Sequence, residues 1–373
     1  MSLNWVLLTR FCVVLPLLLN FRLSKWVGAV TICGVKAFWL MLGILSHAVN
    51  GAAVPGWPEE VQRVEIPSPG TTAQPALFWR APGAGKKPLL VGLHTWSSSY
   101  SQAGSSRPYQ TWCRQEGWHF IHPHFGGPNH TPESMGSDFA VEEVVRAVKW
   151  ALQNAEVDED RIYLVGVSGG GHMAMLMAAR HPEIWAGVSA WCGISDIAQW
   201  HEDCRKNAKF GRYADNIEGA LGGAPDTAER KLGAARRSPV TWLAKARGLP
   251  LDIQAGIHDG RRGSVPFLHS LRGFNAVVVE ADRIGEEEMV QFYAAEKAPG
   301  AALPEEPIYG KWQPLFRKQS GSARVTIFEG GHEILHGVAM NWLASQRRGQ
   351  AAVWDIQAPK PLDVGEGASQ SGK

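Results

Sequence analysis

The sequence predicts an α/β domain, a mainly parallel sheet flanked by helices, on three observations. Short apolar runs alternate with segments of helical periodicity from about residue 60 to the end of the chain. One of those runs, RIYLVGV, leads straight into SGGGHMAMLMAARHP, so a strand feeds a helix through a serine set among glycines. At 373 residues, with 45% hydrophobic and 19% charged residues, the chain can bury a sizeable core.

The elements follow in order. VQRVEIP and QPALFWR alternate as an edge hairpin. PLLVGLHT (Pro88 to Thr95) is continuously apolar, as a strand covered on both faces must be, and WHFIHPHF is the next strand. Ser137 is placed to cap a helix in which Val141, Val144, Val145, Val148 and Ala151 recur at helical spacing. RIYLVGV and its helix come next, the helix ending at His181-Pro182. WAGVSAWCG, LDIQAGIHD and RVTIFEGGHE supply further strands, and EILHGVAMNWLASQ a closing helix. An Ala-, Gly-, Arg- and Trp-rich stretch at about 194–248 interrupts the alternation after the sixth strand, and is expected to place helices over the carboxyl edge of the sheet. The expected organisation is a leader over 1–53, one catalytic domain over 54–360 containing that insertion, and a flexible tail over 361–373.

The leader reads as a targeting segment. Lys36, the apolar run AFWLMLGIL and the small residues of SHAVNGAA stand in the order of an export signal, with cleavage expected near Ala48 or Ala53. The alternative is an uncleaved anchor, since Trp26 to Leu45 is a twenty-residue stretch with one charge. Either way the domain is expected outside the cytoplasm, secreted or periplasmic, and a membrane becomes a partner only if the segment is retained. The first 53 residues carry four basic residues and no acid; without them the net charge turns from +2 to −2, and no basic patch for a nucleic acid is evident. Cys192 and Cys204 are the nearest pair for a disulfide in an oxidising compartment; three separate thiols are the other reading.

The chemistry centres on Ser168 in the G-x-S-x-G of GVSGG. A serine hydroxyl needs an adjacent base, and the base needs an orienting acid. A serine on a strained strand-to-helix turn stands clear of the sheet, with Gly166 and Gly170 letting helix and strand approach. In that arrangement the acid and then the histidine follow in chain order. Asp259, just beyond LDIQAGIH, fits the acid; Asp252 competes but sits at the start of its strand. His332, after Gly330-Gly331, fits the base, with His336 one helical turn on as the alternative. Two backbone N–H groups must then face the developing oxyanion. Gly169 supplies one, and Thr95 or Trp96 in the loop LHTWS the other. Thirteen of the sixteen tryptophans lie beyond residue 53. Most belong in a core; Trp96 and Trp191, with Phe125, are expected to line the substrate site. His122, His124 and His130 invite a metal reading, but zinc-site spacing with a carboxylate or cysteine is missing, so they are expected to line a loop. His172 is expected to bond within the core.

GVSGGGHMA, GIHDGRRGSVP, FEGGHE and LHTWS together resemble the prolyl oligopeptidase-like branch of the α/β-hydrolases, over about residues 60–348. LHTWS departs from the more usual His-Gly pattern, Thr95 standing where a glycine is common. The resemblance implies the α/β-hydrolase fold and acyl transfer by Ser168, His332 and Asp259, with neither metal nor organic cofactor; it does not imply a substrate. Oligopeptidases of this branch carry a large β-propeller before the hydrolase domain, and here only a few tens of residues separate the leader from the early strands. That favours an esterase resembling the exported acetylxylan or feruloyl esterases, acting on a small-molecule or polysaccharide ester. A serine peptidase, a polyester hydrolase with an open groove, and a non-catalytic carbohydrate-binding relative are the other readings.

Overall fold

A computed structural model describes residues 53–363; the leader and most of the tail lie outside them. The described residues hold one nine-stranded sheet in the order β1-β2-β4-β3-β5-β6-β7-β9-β8. Its strands are β1 (Gln62–Ile66), β2 (Gln74–Trp79), β3 (Lys87–Leu93), β4 (His119–Pro123), β5 (Val157–Val167), β6 (Gly187–Trp191), β7 (Leu251–Gly256), β8 (Pro314–Ser320) and β9 (Ala323–Phe328). The central strands β4, β3, β5, β6, β7 and β9 run parallel, while β1, β2 and β8 pair antiparallel at the two edges.

The helices are α1 (Arg107–Glu116), α2 (Asp138–Asn154), α3 (Gly169–Arg180), α4 (Ile197–Lys206), α5 (Gly211–Leu221), α6 (Ala228–Arg237), α7 (Leu268–Val277), α8 (Glu286–Ala295) and α9 (His336–Ala344). Ser137 caps α2 as expected, its hydroxyl accepting from the Ala140 N–H at 3.1 Å. Helix α3 is buried over eleven of its twelve residues, so it has no polar face and packs as a central prop behind β5. The mostly parallel sheet covered by helices is the α/β-hydrolase fold. None of the described helices is long and apolar enough to cross a membrane.

The insertion after β6 forms α4, α5 and α6 and closes a second, smaller core. Ile197, Trp200, Ile217 and Ala234 from those helices pack there with Trp96, Met135 and Val265, which come from three separate loops of the main domain. Burying several aromatic and aliphatic side chains this way stabilises by about 1.5–3 kcal/mol each, so the insertion is anchored rather than draped. Cys113, Cys192 and Cys204 are buried free thiols, so the Cys192–Cys204 disulfide does not form.

Candidate active site

The chain places Ser168, Asp259 and His332 beyond the carboxyl ends of β5, β7 and β9, strands of one parallel array. Ser168 adopts φ 61°, ψ −121°, a conformation costly for a residue with a Cβ and typical of a strained nucleophile turn. Two contacts hold it there. Its N–H donates to the Trp191 carbonyl on β6 at 2.9 Å, and its carbonyl accepts from the His172 N–H at 2.9 Å. A Cβ on Gly166 would overlap Gly170 backbone, which explains the glycines on either side of the turn.

Asp259 is fully buried. Its Oδ1 accepts from the Gly260 and Val265 N–H groups at 2.9 and 3.1 Å, and its Oδ2 accepts from His332 Nδ1–H at 2.7 Å. That last bond fixes the imidazole tautomer and leaves Nε2 to act as the base. Gly263 is required at the bend: a Cβ there would overlap both the Asp259 carboxylate and the His332 Cβ. Burial disfavours a charged ring at His332, but the Asp259 carboxylate outweighs it and holds the imidazole pKa above its ordinary value. The competing residues are committed elsewhere. Asp252 is buried at the far end of β7, paired with Arg324 Nε at 2.9 Å and accepting from Gln254 Nε2 at 2.6 Å. His336 Nε2 lies 2.7 Å from the Ser105 carbonyl, and burial pushes its pKa down to about 4. No hydrogen bond joins the Ser168 hydroxyl to His332 in this structure; such contacts are commonly loose without substrate and tighten as it binds.

The structure separates the two oxyanion candidates. The Thr95 N–H donates to Gln102 Oε1 at 2.8 Å, while Gln102 Nε2 donates to Thr95 Oγ1 at 2.9 Å. The clamp uses up the Thr95 N–H, so the expectation of a Thr95 donor is corrected. The Trp96 N–H has no acceptor among the described residues. Its peptide is fixed from the other end: the Thr95 carbonyl lies 2.9 Å from His94 Nδ1 and accepts from the Ser98 N–H at 3.2 Å. His94 is stacked on Phe125 at 3.9 Å between centroids, and burial lowers its pKa to about 4. Trp96 backbone also borders Gly169 so closely that a Cβ on Gly169 would lie 2.5 Å from the Trp96 nitrogen. Gly169 N–H opens α3, where the first turn has no acceptor within its own helix. Two unspent N–H groups thus stand side by side next to the serine.

The expected substrate-binding aromatics are corrected. Trp96, Trp191 and Phe125 are 2%, 0% and 1% exposed, too little to offer a ring to a sugar. Trp96 packs edge-on to Trp200 inside the insertion's core and donates to Asn216 Oδ1 at 3.3 Å. Trp191 donates to Ser189 Oγ, and Phe125 lies under His94. The histidines of HPHFGGPNH do not converge. His122 is buried against the Tyr100 carbonyl at 2.7 Å, burial lowering its pKa to about 3, and His124 packs at Gly127. His130 offers its carbonyl against Gly219 of the insertion. His172 also bonds the insertion, Nε2 lying 2.7 Å from the Arg237 carbonyl.

The sequence assigns no part in the site to Gln102 or to Cys192, which it offers only as a disulfide candidate. Gln102 carries no motif signal. Cys192, directly after β6, is held at φ 47° with its thiol buried 3.4 Å from the Glu333 carbonyl and 3.8 Å from that of Gly331, either side of His332. Among the described residues, Cys192, Asp259 and His332 form the one cluster of three potential metal-ligating side chains, with their donor atoms within 4.8 Å. The hydrogen-bonded Asp259–His332 pair at its centre accounts for it.

Residues 135–278, containing Ser168 and Asp259, match the prolyl oligopeptidase family. An acetylxylan esterase of Coprinopsis cinerea is 35% identical over 195 residues, which is 50% of this chain and 42% of that protein. Acetylxylan esterase A of Aspergillus ficuum is 27% identical over 132 residues, 31% of this chain and 44% of that one. The chain therefore spans less than half the length of these curated relatives. A puromycin-hydrolysing peptidase from Mycobacterium tuberculosis superposes with a TM-score of 0.52 at 15% identity, covering 81% of this chain and 41% of that one, a likeness of fold. The chain thus has the α/β-hydrolase fold, and over residues 135–278 it is similar to the prolyl oligopeptidase family of serine hydrolases.

Proposed function

We propose that the protein is an exported serine esterase acting on carboxylic esters carried by carbohydrate, of acetyl or feruloyl type. The carrying observation is the Asp259–His332 pair at 2.7 Å, held beyond the same sheet edge as a serine in the strained turn conformation. Ser168 Oγ attacks the ester carbonyl as His332 Nε2 takes its proton. The tetrahedral oxyanion is bound by the Gly169 and Trp96 N–H groups. His332 then protonates the departing alcohol, leaving an acyl-serine, and activates a water that releases the acid by the same steps in reverse order. Asp259 keeps the ring in the productive tautomer and stabilises its imidazolium. The acetylxylan esterases among the relatives support the ester and carbohydrate parts of this reading; the leader supports export.

The test is kcat/KM on acetyl, feruloyl and aminoacyl 4-nitrophenyl esters and 4-nitroanilides, beside Ser168→Ala. Ester turnover that falls by several orders of magnitude in the variant is expected. Faster cleavage of anilides than of esters would make the protein a peptidase, and no Ser168-dependent turnover would overturn catalysis itself.

A further inference from the structure

A cleft of about 290 Å³ opens beside the acid–base pair, between the loop after β7, the loop before β8 and the loop after β9. Arg262 lies three residues beyond Asp259, and Gly331 and Glu333 flank His332, so whatever occupies the cleft touches the segments that position the triad. Its volume is at the small end of ligand sites and suits a single ring.

The charges on its wall are unevenly committed. Glu329 is engaged by His258 Nε2 at 2.8 Å, and the other nitrogen of His258 meets Glu296 at 3.1 Å. Glu333 Oε1 accepts from the Gly331 N–H at 3.0 Å. Both carboxylates lining the cleft therefore have partners. Among the described residues Arg262 forms no ion pair, reaching Glu296 only through space, where it helps hold that carboxyl below its usual range after the larger effect of the His258 hydrogen bond. Lys311 forms none either; its ammonium sits 4.4 Å over the half-buried Trp312 ring. The cleft thus offers two cations without acidic partners next to an aromatic surface, a match for a ring that bears a carboxylate.

The geometry points to an acidic-sugar subsite: Arg262, Lys311 and Trp312 bind a uronic-acid residue of the polysaccharide that carries the ester. This deepens the esterase reading and rests on it for the placement of the scissile bond, though not for the binding itself. The test is calorimetric titration of the full-length chain and of its Ser168→Ala variant with D-glucuronate and D-glucose. Glucuronate is expected to bind at least tenfold more tightly than glucose, with the margin shrinking as salt is raised. Arg262→Gln/Lys311→Gln should abolish that margin, and Lys149→Gln/Lys231→Gln, which removes the same charge from exposed sites elsewhere, should keep it. Equal binding of the two sugars, or a margin that survives the Arg262/Lys311 double variant, overturns the subsite. Because binding is read in Ser168→Ala as well, loss of the subsite and absence of ester turnover are separate results.

Discussion

Gly169→Ala is the sharpest probe of the oxyanion site. A Cβ at residue 169 would lie 2.5 Å from both the nitrogen and the Cα of Trp96, about 0.9 Å inside the 3.4 Å at which ordinary contact begins. The atoms it meets are backbone, so no side chain can swing away, and the two segments must part by most of that distance. Productive oxyanion donors sit about 2.7–3.1 Å from the developing charge. A separation of that size takes at least one N–H out of hydrogen-bond range, and losing one donor costs about 10²–10³ in kcat, roughly 3–4 kcal/mol. Overpacking also destabilises by about 1–3 kcal/mol, so the assay belongs well below the melting temperature. The comparison is kcat on 4-nitrophenyl acetate for Gly169→Ala against Gly211→Ala, whose added Cβ meets open space, with circular dichroism melts of both. Gly211→Ala should match the parent. If Gly169→Ala folds and keeps kcat within threefold, the pairing of Trp96 and Gly169 as donors is wrong.

Further outcomes follow from the same contacts. Asp259→Asn should lower kcat by about 10⁴ by presenting the wrong tautomer. The neutral ring is the active base and Asp259 raises its pKa, so the acid limb of kcat/KM should lie above the ordinary imidazole value and move to lower pH in whatever activity the variant retains. Linkage has the opposite sense for stability: the raised His332 contributes most below its unfolded pKa, and that contribution fades as pH rises through the folded one. Thermal melts of parent against Asp259→Asn should thus differ more at pH 5 than at pH 9. Gln102→Ala removes the clamp on Thr95, two hydrogen bonds of about 0.5–1.5 kcal/mol each, and should reduce kcat by at most about 150-fold with KM nearly unchanged. Arg324→Ala strands the buried Asp252 carboxylate and should cost about 3–5 kcal/mol in urea unfolding, while kcat per folded molecule is kept.

Much of this was legible in the sequence where neighbours along the chain decide the outcome. The apolar run before GVSGG and the Ser137 cap both report local geometry, and both elements form where they are expected. Helix α1 went unread because RPYQTWCRQE buries a glutamine and two aromatics in an otherwise polar segment. Strand β8 went unread because an edge strand is only half covered, and PLFRKQS looks like loop. The aromatic residues misled for a non-local reason: Trp96 is enclosed by partners more than a hundred residues away, and no periodicity records such a contact. The choice between Thr95 and Trp96 likewise hung on one glutamine side chain.

The second core has a bearing on how this architecture can diverge. Trp200 donates to the Ser264 carbonyl at 2.8 Å, and the adjoining Val265 both packs in that core and donates its N–H to Asp259. Trp96 meets Trp200 from the other side. The inserted helices therefore brace the loop of Asp259 and the loop of Trp96 at once. They are not a detachable module: a graft of a different insertion would have to supply an indole at the place of Trp200, or the engineered hydrolase would exchange its specificity for its chemistry.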